Sequence, residues 1–266
     1  MTKPISIIIP CFNHGSFLLD AIASLETCNA DLFEVIIVND GSDEQNTLQI
    51  LKTLEKKYEV INQLNAGLGA ARNRGVRASQ SDFILPLDAD NLLYPNYLTG
   101  GLKILESDPQ IGVVYAKRKF FGDGNFKKYR QPGKFNLESL IVDNYIDACA
   151  LIRKSALLEC GGFATDLPEQ GLEDWDLWLS MVERKWKFSF LDEVAYAYRV
   201  RDDSMTSIMM EEESSKANIE YLSRKHAMLL REIVIDQFYE LRRHRSWIPY
   251  SLRYLIRNLY YFVKTK

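Results

Sequence analysis

No stretch of this chain approaches the roughly 18 consecutive apolar residues that a membrane-spanning helix needs. The apolar run nearest the start, Ile5 to Ile9, is stopped by Pro10, too short for the core of a secretory signal peptide. Cysteine is scarce. Cys11, Cys28, Cys149 and Cys160 are widely spaced and form no C-x-x-C pair, so neither a disulfide framework nor a zinc site is indicated. Each reads as a small apolar residue in a reducing, cytoplasmic setting. Histidine is scarcer still: His14, His226 and His244 are scattered and make poor metal ligands as a group. An excess of positive charge is also missing. Thirty-three Lys and Arg against 36 Asp and Glu leave a net charge of -3, which does not suit a nucleic-acid binder. No internal repeat and no low-complexity segment is present. What remains is a chain of 266 residues, 47% of them apolar, long enough for one large core with a small appendage.

The apolar pattern alternates between two periods. Ile5–Ile9, Glu34–Val38, Glu59–Ile61, Asp82–Leu87 and Ile111–Lys117 read as short strands. Between them, Ser16–Thr27, Leu48–Tyr58, Gly69–Ala78 and Pro95–Ser107 carry helical spacing. Strand and helix in alternation predict a mostly parallel, Rossmann-like sheet with helices on both faces. The second half is less regular. Phe120–Tyr129 suggests a hairpin around Asp123-Gly124, and Asp147–Arg153 a strand followed by a helix over Lys154–Cys160. Glu173–Arg184 predicts an amphipathic helix, Phe188–Leu191 and Val194–Tyr198 two short strands, and the chain is read as helical from Thr206 onward.

Ligands of such sheets bind at the carboxyl ends of the strands. Polar residues collect there: Asn13 after the first strand, Asp40 after the second, Asp88 and Asp90 after the fourth. Two carboxylates at alternate positions, as in PLDADN, can converge on one Mg²⁺ or Mn²⁺ that also binds phosphate oxygens; two solvated turn acids would look the same. The segment from Asn65 to Gly75 is Gly-rich, opens a helix and carries Arg72 and Arg74. That combination favours a phosphate, although an ordinary helix start with solvated arginines fits too. Glu173, Asp174 and Asp176 crowd the first turn of their helix, where the helix dipole alone would favour acids. The Gly-rich stretch ahead of them, GGFATDLPEQGL, adds the prospect of a loop beside a pocket. A carboxylate there can act as general base towards a hydroxyl. From Arg242 to Lys266 basic residues interleave with Trp247, Tyr250, Tyr254, Tyr260, Tyr261 and Phe262, with no acid after Glu240. Such a tail suits peripheral contact with an anionic membrane, or a packed C-terminal helix with a solvated basic face.

Taken in order, SIIIPCFNHGSFLLDAIASL, EVIIVNDGSDE, NAGLGAARNRG, LPLDADN and GLEDWDLWL resemble the motifs of the inverting family 2 glycosyltransferases, over about Ile5 to Thr206. The resemblance implies the GT-A fold: a catalytic domain over 1–205, with a nucleotide-binding half about 1–117 and an acceptor half about 118–205, and a helical extension over 206–266. It implies a nucleotide-sugar donor, commonly a UDP-sugar, a glycan or lipid-linked acceptor in surface polysaccharide or glycolipid synthesis, and Mn²⁺ or Mg²⁺. By resemblance, Pro10, Phe12 and Asn13 line the nucleotide pocket, Asp40 reads the base, and Arg72 stands near base and diphosphate. Asp88 faces the ribose, Asp90 the metal, and Asp174 is the catalytic base. Glu173 and Trp175 lie beside acceptor and donor sugar. One departure stands out: where many relatives carry Y-R-x-H-x-x-S, this chain has Tyr198-Arg199-Val200-Arg201. Arginine binds no metal but pairs well with phosphate, so Arg201 is expected on the diphosphate. His14 is the histidine nearest this pocket, as a nucleotide contact or a solvated loop residue. A sugar-phosphate nucleotidyltransferase would need a Gly-rich, basic loop after the first strand, and PCFNHGSF is neither. A binding module without turnover would keep the pocket and lose the chemistry, against which the intact acids speak.

Overall fold

The computed structural model describes residues 2–126, 129–202 and 212–243. Contacts divide the chain into two compact units, Met1–Asn218 and a second beginning at Ile219. The boundary expected at 205/206 and nearly all of the basic aromatic tail lie outside the described residues.

The first unit is built on one eight-stranded sheet, β1 Ile5–Cys11, β2 Phe33–Asp40, β3 Glu59–Gln63, β4 Phe83–Pro86, β5 Leu92–Leu93, β6 Ile111–Gly122, β7 Leu151–Arg153 and β8 Lys187–Val200, in the order 3-2-1-4-7-6-8-5. Strands β3, β2, β1 and β4 are parallel, as are β6 and β8; β7 and β5 run against their neighbours. This is the mixed, mostly parallel sheet that the alternating pattern predicts. Helices α1 Gly15–Leu25, α2 Gln45–Leu54, α3 Leu68–Ala78 and α4 Pro95–Ser107 are the crossovers. α5 Leu137–Leu140, α6 Lys154–Glu159 and α7 Glu173–Glu183 follow. α8 Glu212–Lys225 starts in the first unit, and α9 Ala227–Arg243 lies in the second. Among the described residues no helix is long and apolar enough to cross a membrane.

β1 reads as a continuous apolar run because it is the sheet's centre: all seven of its residues are buried, with helices on both faces. Burying each of Ile5, Ile7, Ile8 and Ile9 contributes about 1.5–3 kcal/mol. Two glycines set how closely α3 approaches its neighbours. A Cβ on Gly75 would stand 2.4 Å from Ile8 Cγ2, and one on Gly69 would stand 2.2 Å from the Ala164 carbonyl oxygen.

The second half corrects the sequence reading in three places. The hairpin at Phe120–Tyr129 does not form. Residues 120–122 instead continue β6 in parallel register with β8, up to Gly122 opposite Val200, and Gln131 bonds the backbone of Arg118 with its side-chain amide. The two strands expected at 188–198 are one strand, interrupted where Asp192 and Glu193 bulge out between Leu191 and Val194. The strand expected from Asp147 begins only at Leu151. Asp147 Oδ1 accepts from Cys149 N at 2.8 Å, and Ala150 N reaches back to Ala148 O, which turns the chain before it can pair.

Candidate active site

The predicted functional residues do meet at the carboxyl ends of β1, β2 and β4, joined by the starts of α3 and α7 and the end of β8. Three arrangements share that edge.

The first is a loop scaffold. Asn13 follows β1 with a positive φ of 54°. Its side-chain oxygen accepts from the backbone N–H groups of Asp43 and Glu44, and its amide donates to Asp43 Oδ1 at 2.8 Å. Asp40, at the end of β2 and 4% exposed, accepts from Ala66 N and Gly67 N at 2.9 Å each and from Gln63 Nε2 at 2.8 Å. Asn13 and Asp40 therefore hold the two loops that wall this end of the sheet. Pro10 is buried within β1, while Phe12 is 45% exposed.

The second is a buried charge bridge. Arg72 on α3 donates through Nη2 to Asp88 Oδ1 at 2.7 Å and through Nη1 to Glu173 Oε1, and lies over the Phe163 ring. Burial works against its charge, but the surrounding carboxylates of Asp88, Glu173 and Asp174 outweigh it and hold the guanidinium protonated. Arg72 was expected near base and diphosphate; its guanidinium lies between Asp88 of the D-x-D pair and Glu173 of the E-D pair. Asp174, one residue after Glu173, accepts from Asn144 Nδ2 at 3.0 Å and Trp175 N at 2.8 Å, both at Oδ1. Burial first, then the neighbouring Glu173 charge, push its pKa up to about 7, against the pull of Arg72. Trp175 faces inward: its indole N–H donates to Leu140 O at 2.6 Å, as that of Trp178 does to Ile146 O at 2.9 Å.

The third is a basic, aromatic corner. Arg201 Nη1 lies 3.8 Å from Asp90 Oδ2 and 3.4 Å from His14 Nε2, with the guanidinium 4.9 Å over the Phe17 ring. Arg199 sits between the rings of Phe17 and Phe121 and bonds Asp20 Oδ2, Asp90 O and, by its own N–H, Asn91 Oδ1. Burial, and then Asp88, raise the Asp90 pKa to about 6, while Arg201 and Arg199 pull it down.

Among the described residues no three His, Cys, Asp or Glu side chains converge into a metal cage. Asp90, with Asp88 already engaged by Arg72, presents a single carboxylate. That donor set fits a hard divalent cation that keeps waters and takes its other oxygens from a bound diphosphate.

Sequence reasoning missed Asn144, Arg118, Asp147, Asn73 and Arg199. Arg118 and Asp147 form a largely buried pair at 3.3 Å, and Asn73 clamps Phe163 by two bonds. Arg199 had a visible signal, its place within the Tyr198–Arg201 segment. Asn73 lies inside the NAGLGAARNRG motif without being singled out there, Arg118 lies on β6, and Asn144 and Asp147 lie in the irregular segment before β7, where no local pattern distinguishes them.

Fold and site together define a GT-A transferase architecture. The glycosyl transferase family 2 profile matches residues 6–161, and the chain belongs to that family. An uncharacterized glycosyltransferase of Haemophilus influenzae is 30% identical over 191 residues, covering 67% of this chain and 62% of its own. The minor teichoic acid biosynthesis protein GgaB of Bacillus subtilis is 25% identical over 266 residues, 94% of this chain but only 28% of that protein. The chain thus spans less than two thirds of either relative. In structure, S. aureus TarS 1–349 in complex with UDP-GlcNAc matches with a TM-score of 0.62 at 21% identity, over 78% of this chain and 61% of that one. The mannosyltransferase PcManGT of Pyrobaculum calidifontis, in complex with GDP-Man and Mn²⁺, matches with a TM-score of 0.59 at 16% identity, over 78% and 60%. At these identities the two structures speak for the fold.

Proposed function

We propose that this chain is an inverting transferase that moves a sugar from a nucleoside-diphosphate sugar, a UDP-sugar first among them, to a hydroxyl of a glycan or lipid-linked acceptor in cell-surface polysaccharide synthesis. The observation that carries the reading is Asp174. It is a carboxylate at a helix N-terminus whose pKa, raised to about 7, matches the task of taking a proton from a hydroxyl near neutral pH. The UDP-GlcNAc held by TarS and the teichoic acid role in the name of GgaB support the donor and acceptor classes.

Asp174 takes the acceptor's proton while that oxygen attacks the anomeric carbon from the face opposite the diphosphate. The C–O bond to the diphosphate breaks with its electron pair, and one displacement inverts the carbon. Its transition state is oxocarbenium-like, by analogy with glycoside hydrolysis. Arg201, at the end of β8, pairs with the departing diphosphate in place of the histidine that many relatives carry. Asp88 faces the ribose with the edge that Arg72 leaves open. Asp40 and Phe12 border the base. A divalent cation, Mn²⁺ or Mg²⁺, would be held by Asp90 and would neutralise charge on the leaving group. The work is placed at the cytoplasmic side of the membrane, with the tail from Arg242 touching the anionic surface.

A thermal-shift panel of UDP-, GDP-, CMP- and dTDP-sugars, with and without Mn²⁺, tests this. A ligand at 100 times its dissociation constant stabilises the fold by about 2.7 kcal/mol. A UDP-sugar that raises the midpoint, with a Mn²⁺-dependent part lost in Asp90→Ala, is the expected result. Silence across the whole panel overturns the reading, and a donor that binds without turnover in the presence of acceptors leaves only a binding module.

A further inference from the structure

Asp174 Oδ1 accepts two hydrogen bonds, from Trp175 N and Asn144 Nδ2, and Oδ2 accepts none among the described residues. The two bonds differ in kind. The Trp175 N–H comes with the helix itself. The Asn144 amide comes from the irregular segment between α5 and β7, 30 positions earlier in the chain.

That segment is fastened on both sides of Asn144 by the helix that carries the base. The Trp175 indole takes Leu140 O, before Asn144, and the Trp178 indole takes Ile146 O, after it. Tyr145, the next residue, fixes its hydroxyl on Asn136, accepting from N at 3.0 Å and donating to O at 3.3 Å. Asn144 is therefore held in register with Asp174 by three neighbours, and its nitrogen faces the carboxylate, the orientation that the ionised form, which only accepts, requires.

The other end of the amide has no such use. Asn144 Oδ1 is buried and has no hydrogen-bond partner. A buried amide oxygen without a donor lowers stability, so this end of the side chain adds nothing to the fold and the hydrogen bond to Asp174 is, among the described residues, the amide's one use.

We propose that Asn144 is a positioning residue for the base: its amide fixes Asp174 Oδ1 and thereby turns Oδ2 towards the acceptor hydroxyl. This rests on the role given to Asp174 above. The charged groups that act on Asp174 are Glu173 on its own helix, Arg72 on α3 and Asp147 from the segment before β7. Asn144 supplies a neutral donor to the ionised form, and removing it disfavours that form.

The test is a ¹³C-carboxyl NMR titration of the full chain labelled at Asp, with the Asp174 signal assigned by its loss in Asp174→Asn. Asn144→Ala is expected to move the Asp174 midpoint up by about one unit. The isosteric Asn144→Asp, which removes the donor and adds a like charge, is expected to move it further. With a UDP-sugar that the wild type turns over, both variants are expected to lower kcat at least tenfold and leave the donor KM within twofold. An unmoved midpoint in both variants overturns the inference, as does a lowered melting temperature with kcat intact. The titration needs no donor. If no nucleotide-sugar binds the wild type yet the midpoints move in this order, Asn144 keeps its hold on Asp174 and only the transferase reading falls.

Discussion

Arg72 Nη2 stands 2.7 Å from Asp88 Oδ1, so the end of β4 is tied to the start of α3, and the same guanidinium reaches on to Glu173, 101 positions further along. A single cation thus sets the spacing between Asp88 after β4 and the start of α7. Removing one partner of a buried ion pair leaves an uncompensated charge and costs about 3–5 kcal/mol. Arg72→Ala is expected to lose stability in that range by denaturant unfolding. Arg72→Lys is expected to recover only part of it, because an ammonium lacks the fork that spans two carboxylates. A loss under about 1 kcal/mol for Arg72→Ala, within the range of exposed pairs, would remove the bridge's structural role.

The raised pKa of Asp174 fixes the sign of the pH dependence. If Asp174 is the proposed base it must be ionised to act, so kcat/KM is expected to fall tenfold per unit below about pH 7 and to level off above it. Asp174→Asn is expected to lower kcat by about 10²–10⁴-fold. Stability runs the other way. A carboxyl whose pKa is higher in the folded state contributes stability below its unfolded pKa, and that contribution is lost as pH rises through about 7. Asp174→Asn should therefore melt above the wild type at pH 8, with the gap closing towards pH 4. Parallel melting curves across that range would contradict the burial of this charge.

Gly69 has no room for a side chain, since a Cβ there would sit 2.2 Å from the Ala164 carbonyl oxygen. Gly69→Ala must push the 163–172 segment off the start of α3. We expect a loss of about 1–3 kcal/mol, the scale of an overpacked contact, and a smaller thermal shift with the UDP-sugar that stabilises the wild type. Gly133, where no atom lies within 4 Å of an added Cβ, is the control expected to tolerate alanine with little change.

Arg201→Ala separates the phosphate from the base. If Arg201 pairs with the diphosphate, the variant binds UDP more weakly and uridine equally well, by calorimetry. Loss of a charge-assisted hydrogen bond corresponds to about 1.5–3 kcal/mol, or roughly 10- to 150-fold in affinity. Unchanged UDP affinity discards the role.

Trp175→Phe keeps an aromatic ring, gives up the rest of the indole and deletes the bond to Leu140 O. A buried carbonyl left without a donor costs about 1–3 kcal/mol. Because Leu140 lies on the segment that carries Asn144, kcat is expected to fall along with stability. Trp178→Phe, which frees Ile146 O on the other side of Asn144, is expected to do the same.

The first half of the fold was legible in the chain because its strands are central and its crossovers regular. β1 is buried on both faces and so reads as an unbroken apolar run, and α4 begins and ends where Pro95 and Ser107 predict. The turn acids after β2 and β4 were legible for the same reason, since the end of a buried strand marks the ligand edge of a parallel sheet. The sequence therefore determined the sheet class and the polar and charged residue types gathered at the carboxyl edge of its first strands. Tertiary structure alone decided how those residues are used. That Arg72 bridges two acids instead of facing solvent, that Asn144 grips Asp174, and that residues 120–122 run beside β8 instead of folding back all depend on partners far along the chain. Local periodicity reports which face of an element is buried. Which distant carboxylate, carbonyl or strand it meets is set only when the layers close on one another.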